Sequence, residues 1–132
     1  MSTLPFRCSG VKKILKIDVL GTVYDVVVLD YKNDAWFEKN NSCGYCDDVE
    51  KRIVICNMQT FPGWDETEAY CREFEKTTLR HELIHAFLNE SGLRGGSHSP
   101  NKWAMDEEII DWVAIQIPKI VKAMKEAGCI ES

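Results

Sequence analysis

The amino-acid sequence predicts an α+β fold in which a small, mostly antiparallel sheet packs against two long helices. In the first half of the chain, apolar residues alternate with polar ones or form short β-branched runs, as they do in strands. From residue 65 onward the apolar residues recur with helical spacing. The 132 residues, 45% of them hydrophobic, fit a single domain, with residues 1–64 as its strand-rich half and residues 65–132 as its helical half.

The first predicted unit is a β-hairpin. Apolar and polar residues alternate from 15 to 19, and a β-branched run occupies residues 23–29. Gly21 and Thr22 lie between these strands and are expected to form a two-residue turn. The polar stretch 31–42 that follows is compatible with either a loop or a short helix.

A second hairpin is predicted for residues 45–49 and 53–57, which flank a charged turn. Its second strand is the more apolar of the two. Pro62 and Gly63 then end the strand-rich half.

The first long helix is expected to begin after Asp65, which is a plausible N-cap with Glu68 as its capping-box partner. It should run to about Glu90, where Gly92 supplies a C-terminal stop. The glycines of residues 91–100 indicate a flexible loop.

The second long helix is expected to begin near residues 101–106 and to reach about Ala127, followed by Gly128. Pro118 lies inside this helix and should kink it, because proline removes one backbone hydrogen bond and clashes with the preceding turn.

Charge and hydropathy exclude some classes of function. The net charge of −5 argues against a nucleic-acid-binding surface, and no stretch reaches the roughly 18 apolar residues of a membrane-spanning helix. The first apolar stretch, residues 14–29, is interrupted by charges and a glycine, unlike a secretory signal. We therefore expect a cytoplasmic protein with no membrane or nucleic-acid partner, whose six cysteines are mostly free thiols.

The most informative motif is H-E-x-x-H at residues 81–85 of the first long helix. A spacing of four residues puts His81 and His85 on one helical face, where both imidazoles can bind one zinc ion. Zinc lowers the pKa of water and makes it a nucleophile. Glu82 is rotated around the helix from His81, so its carboxylate can accept the proton of that water without occupying the metal.

A catalytic zinc ion needs a third protein ligand. The candidates are Asp106, Glu107, Glu108 and Asp111 on the second long helix, and His98 in the glycine-rich loop. At about 100° per residue, Glu107 lies at the border of that helix's apolar face, whereas Glu108 points away from it. Glu107 is therefore the better ligand. Asp111 follows Glu107 by four residues and can accept the outer ring N–H of a ligating histidine.

The motif H-E-L-I-H at 81–85, followed by E-E-I-I-D at 107–111, resembles the gluzincin arrangement. With its strand-rich half before two helices, the chain is similar to the minimal gluzincins of phages and mobile elements, akin to ImmA/IrrE-type metallopeptidases. The resemblance covers roughly residues 44–120. It implies a zinc peptidase with ligands His81, His85 and Glu107, the general base Glu82, and Asp111 supporting a ligand histidine. It also implies a regulatory protein, such as a repressor, as substrate. In zincins of this kind the strand beside the motif helix offers an edge that pairs with an extended peptide, and residues 53–56 are the candidate strand.

A rival resemblance involves His98, which lies 13 residues after His85 and is followed by Trp103. SprT-like zincins take a third histidine from the segment after the motif helix, although the His-Gly pair expected there is absent. If His98 is not a ligand, it could instead donate a hydrogen bond to the oxyanion of the tetrahedral intermediate, as could Arg94.

Cys43 and Cys46 form a C-x-x-C pair, a spacing found in zinc sites and redox motifs. A structural zinc site needs four ligands, and the sequence has no second such pair, although Cys56 on the neighbouring strand could come close. A redox pair would open a helix after a strand, which is not predicted here. The favoured interpretation is a hairpin with incidental thiols.

Two classes of function are compatible with these motifs. The first is a zinc-dependent metallopeptidase that hydrolyses peptide bonds in a peptide or protein substrate. The second is a non-catalytic zinc-binding module for protein interaction. Glu82 favours the enzyme, because a purely structural zinc site has no use for that carboxylate.

Overall fold

A four-stranded mixed sheet forms one layer of the computed structural model, which describes residues 14–93 and 103–131. The strand order is β1-β2-β4-β3, and two of the three strand pairings in this described sheet are antiparallel. The predicted α+β fold is confirmed. The strands are β1 (Leu15–Val19), β2 (Thr22–Asp30), β3 (Gly44–Asp47) and β4 (Arg52–Asn57).

The β1–β2 hairpin forms as predicted, but its turn consists of Leu20 and Gly21 rather than Gly21 and Thr22. Val19 pairs with Thr22, and the φ angles of Leu20 and Gly21 are 52° and 92°. Positive φ at both central residues matches the twist of a tight hairpin. The Asp18 carboxylate stabilises the turn by accepting the Gly21 N–H at 2.8 Å.

The two hairpins meet through a parallel pairing between β2 and β4, with Val26 opposite Ile53 and Val28 opposite Ile55. Strand β4 is therefore central, and the expectation that it offers a free edge is wrong. The physical reason is burial on both faces, because four consecutive apolar residues of β4 are fully buried: Ile53, Val54, Ile55 and Cys56. The edge strand on this side of the described sheet is β3.

The stretch left open between the hairpins is mainly helical. A 3-10 turn at Tyr31–Asn33 leads into helix α1 (Ala35–Asn40). Asp34 caps α1 by accepting the backbone N–H of Trp36 at 3.0 Å. Phe37 is fully buried and holds this helix against the sheet.

Helix α2 (Glu68–Glu90) is the first long helix, and it is capped by Thr67 rather than by Asp65. Thr67 has an extended backbone, and its hydroxyl accepts the N–H of Tyr70 at 3.1 Å. It thus provides an acceptor for a backbone N–H of the first turn that has no partner within the helix. Gly92 follows the end of α2 with a positive φ of 81°, as its predicted stop role requires.

Helix α3 (Glu107–Glu126) is the second long helix, and Asp106 caps it by accepting the N–H groups of Glu108 and Ile109. It continues through Pro118. Ile110 and Ala114 of the predicted apolar face are buried against the rest of the domain. No helix in the described ranges is long and apolar enough to cross a membrane.

Two hydrophobic clusters form the core. The C-terminal half of α2 packs Leu79, Leu83 and Ala86 against one face of the sheet, over Ile53 and Ile55. The second cluster contains Phe37 of α1 together with Val54, Cys56, Met58 and Cys71. The C-terminal half of α2, which carries the H-E-x-x-H motif, is therefore packed against the sheet.

A buried ion pair attaches the N-terminal half of α2 to the segment after β4. Glu75 is fully buried, and its Oε2 accepts the backbone N–H of Met58 at 2.8 Å and Arg72 Nη2 at 3.0 Å. Arg72 also donates to the side chains of Asn57 and Gln59, at 3.0 Å each. The charge of Glu75 is thus compensated within the protein.

Candidate metal centre

His81 and His85 lie one turn apart on α2 and line one cleft. Their Nε2 atoms are 3.1 Å apart, and their ring centroids are 4.8 Å apart. Both side chains are mostly buried, with exposed fractions of 17% and 20%. The Nε2 lone pairs of both histidines can therefore be directed at one metal ion.

Glu107 reaches the same point from the first turn of α3. Its Oε1 lies 2.8 Å from His85 Nε2 and 3.3 Å from His81 Nε2. Ligands at a bond length of about 2.05 Å around tetrahedral zinc are separated by roughly 3.3 Å. The triangle formed by the three ligand atoms has nearly this size, so these residues fit a zinc ion with one further position for water or substrate.

Asp111 lies one turn after Glu107 on α3 and contacts His81 from behind. Its Oδ1 is 2.6 Å from His81 Nδ1. When Nδ1 carries the proton and donates it to Asp111, Nε2 is left with a lone pair directed at the site. A single helix therefore supplies both a carboxylate of the cluster and the carboxylate that orients one of its histidines.

Glu82 is buried beside the cluster, with 6% of its surface exposed. Burial raises its pKa to about 7, and the negative charges of Glu107 and Asp111 add to this increase, while His81 opposes it. A carboxyl group with a pKa near neutrality can both accept and release a proton at physiological pH.

A cleft of about 380 Å³ opens over these residues. Edge strand β3 and helix α1 form its wall opposite α2, and Met105 borders it near the start of α3. The rings of Trp36 and Tyr45 are 5.0 Å apart in that wall, and the Tyr45 hydroxyl donates to Asp34 at 2.6 Å. The remaining polar side chains of the lining are Asn40, Ser42 and Asn89.

The backbone of β3 runs along the cleft in a defined register. The Cys56 N–H donates to the Cys43 carbonyl at 2.8 Å, and Gly44 pairs with Ile55. In an antiparallel ladder, hydrogen-bonded and non-hydrogen-bonded residue pairs alternate. Cys43 and Cys56 form a hydrogen-bonded pair, so the N–H and C=O of Gly44 point away from β4. The hydroxyl of Ser42 contacts both groups, at 3.2 Å and 2.6 Å.

Gly44 allows β3 to approach α2 closely. A Cβ atom at this position would lie 2.9 Å from Thr78 Cγ2 and 3.0 Å from the Val54 carbonyl oxygen. Thr78 precedes His81 by one helical turn. The short distance between the cleft wall and the motif helix therefore depends on the missing side chain.

Other residues singled out from the sequence do not join the cluster. The side chain of Glu108 is exposed and has no hydrogen bond or ion pair with any residue in the described ranges. Cys43 and Cys46 pack against different core clusters, so they do not form a common site. None of the five described cysteines forms a disulfide bond. His98 and Arg94 lie outside the described residues, so their proposed roles stay predictions.

Sequence reasoning missed the wall formed by α1 and β3. The available signal was weak: Asp34 stands two residues before Trp36, as an N-cap would, within a polar stretch. Arg80 was also missed, although it directly precedes the motif and Pro118 leaves a carbonyl that needs a donor.

No model of a protein family matches the chain, and no curated protein or solved structure matches it.

Proposed function

We propose that this protein is a zinc-dependent metallopeptidase with His81, His85 and Glu107 as its metal ligands. The observation that carries this proposal is the convergence of three ligand atoms from two helices on one point, beside the buried carboxyl group of Glu82.

Each residue has a distinct role in the proposed reaction. Zinc, when bound, lowers the pKa of water and polarises the substrate carbonyl. Glu82 accepts the proton of the attacking water at its carboxylate and then donates it to the leaving amine nitrogen. Asp111 keeps His81 in the tautomer that offers Nε2 to the site.

The substrate in this proposal is an extended peptide that lies along β3 inside the cleft. Support comes from the register of β3, which directs the backbone polar groups of Gly44 away from β4. An added strand could pair there after displacing the Ser42 hydroxyl. This replaces the central strand β4 as the site of peptide pairing. We propose a cytoplasmic protein or peptide as substrate, because the five described cysteines form no disulfide bond.

The test compares hydrolysis by wild type and Glu82→Gln, with Glu108→Gln as a matched control on an exposed residue. Glu82→Gln retains size and removes the base, so zinc content should be unchanged while hydrolysis of unfolded casein falls by about 10²–10⁴-fold. Glu108→Gln should retain both properties. If zinc-loaded wild type cleaves nothing and binds regulatory proteins as Glu82→Gln does, the non-catalytic binding module is the correct function.

A further inference from the structure

Pro118 leaves one backbone carbonyl of α3 without its usual partner. In a regular helix the carbonyl of Ala114 would accept the N–H of residue 118, but proline has no N–H. Ala114 is only 1% exposed, so water has almost no access to this residue. A buried carbonyl without a donor would destabilise the packed helix.

Arg80 of α2 supplies the missing donor. Its Nε lies 2.6 Å from the Ala114 carbonyl oxygen, and its Nη2 donates to Thr77 Oγ1 at 3.1 Å. Thr77 is one turn earlier on the same helix and holds the guanidinium group in place. A charged donor thus crosses from α2 to α3 at the one carbonyl that Pro118 has released.

This contact lies next to the candidate metal centre along both helices. On α2, Arg80 directly precedes His81. On α3, Ala114 follows Asp111 by three residues and Glu107 by seven, so all three lie on one side of the helix. The sliding and rotation of α3 relative to α2 are therefore fixed at the level where Glu107 and Asp111 must meet His81.

We propose that the hydrogen bond from Arg80 to the Ala114 carbonyl, which Pro118 leaves without a helical donor, positions Glu107 and Asp111 for metal binding. We call this contact between α2 and α3 the interhelical lock. Arg80 lies outside the described lining of the cleft, so it acts through the α3 carboxylates and is a positioning residue. The metal-binding part of this proposal rests on the proposed function. The lock itself, a donor on α2 for a carbonyl on α3, does not require the metal.

The test is a double-mutant cycle with Arg80→Met, Pro118→Ala and the double variant. Zinc affinity is measured by competition with a chelator, and ligand geometry is followed by the visible absorption of the cobalt(II)-loaded protein. Arg80→Met should weaken zinc binding by about 10-fold or more and change the cobalt spectrum, because α3 loses its fixed position. In the double variant, Pro118→Ala restores a backbone N–H for the Ala114 carbonyl, so affinity should return to within about 3-fold of wild type.

Arg52→Met serves as a control for the loss of an exposed arginine on strand β4 and should change neither readout. The proposal is overturned if Arg80→Met binds zinc like wild type, or if Pro118→Ala fails to rescue it. If Arg80→Met does not fold, the same cycle with Arg80→Lys applies the same criterion, because lysine lacks the planar Nε donor.

Unfolding of the zinc-free variants in urea separates this proposal from the proposed function. The lock predicts that the midpoint shift caused by Arg80→Met is clearly smaller in the Pro118→Ala background. Additive shifts would overturn the lock even if zinc binds. Wild-type protein that binds no zinc would overturn the proposed function. The interhelical lock would then be tested by the unfolding cycle alone.

Discussion

Glu107 and Glu108 are adjacent in sequence but have different surroundings. Both carry a carboxylate in the first turn of α3, where the helix dipole favours negative charge. Only Glu107 is directed at the two histidines, at 2.8 Å from His85 Nε2. The difference follows from the 100° rotation between neighbours on a helix.

Replacement of these two residues should therefore have unequal effects. Glu107→Gln removes the charged ligand and should lower zinc affinity strongly, whereas Glu108→Gln should leave it nearly unchanged. Chelator competition measures both variants under one set of conditions. Equal affinities for the two variants would refute the assignment of Glu107, and a site emptied by His98→Ala would indicate the SprT-like arrangement instead.

Asp111→Asn tests the support of His81. Asparagine can still accept the Nδ1–H through its amide oxygen, but it lacks the negative charge that strengthens the ligand. Zinc affinity should fall by about 10–100-fold, with the fold retained as judged by circular dichroism. Wild-type affinity in this variant would show that the contact with His81 does not influence the metal site.

Glu90 provides a pH-dependent contribution to stability away from the candidate metal centre. Hydrogen bonds from Lys51 at 2.8 Å and Tyr24 at 2.7 Å lower its pKa to about 2. The folded-state pKa is below the ordinary value of 4.5, so the ionised group stabilises the protein at neutral pH. This contribution should disappear as the pH falls from about 4.5 to about 2.

The variant Glu90→Gln isolates that contribution. It should melt at a lower temperature than wild type at pH 7, and the difference should shrink as the pH approaches 3. Thermal unfolding followed by circular dichroism across this range gives the comparison. A difference in melting temperature that stays constant with pH would mean that the Glu90 carboxylate does not have the lowered pKa.

At the scale of elements, the contact between β3 and α2 determines the width of the cleft. Gly44 has no side chain where a Cβ would meet both Thr78 and the Val54 carbonyl. The second contact is with backbone of a central strand and cannot move easily.

Gly44→Ala should therefore destabilise the protein by about 1–3 kcal/mol, as overpacking typically does. Thr78→Ser removes the Cγ2 methyl group, and its combination with Gly44→Ala should recover only part of the loss, because the Val54 contact remains. Urea unfolding measures the free energies of all three variants. Unchanged stability in Gly44→Ala would show that β3 can shift away from α2 without cost.

The elements were predictable where their signals are local. The alternation in β1 and the hairpin that follows it have signals in adjacent residues, although the turn lies one residue earlier than predicted. The helical spacing of α2 and α3 extends over many turns. The parallel pairing of β2 with β4 was not predictable, because it joins strands separated by α1 and β3. Asp and Thr are both common N-cap residues, so residue type alone does not choose between Asp65 and Thr67. Thr67 is the cap because its backbone is extended and α2 begins at the next residue.

At the scale of the whole molecule, the residues of the candidate site also divide into those with a local sequence signal and those without one. The histidines and Glu82 follow from one motif, and Glu107 and Asp111 follow from helical phase once α3 is recognised. Two other features depend on which elements lie next to each other in the fold. They are the hydrogen bond from Arg80 of α2 to the Ala114 carbonyl of α3, and the contact between the rings of Trp36 and Tyr45. No period or motif in the sequence contains that information.

The central claim is that two helices of this domain hold one zinc ion through His81, His85 and Glu107. The most direct test is the zinc content per chain, determined by elemental analysis of protein purified without a metal-binding tag. Wild type and Glu82→Gln should each hold about one zinc ion per chain, and His81→Ala should hold almost none. A zinc-free wild type, or His81→Ala that keeps a full equivalent of zinc, would contradict this claim.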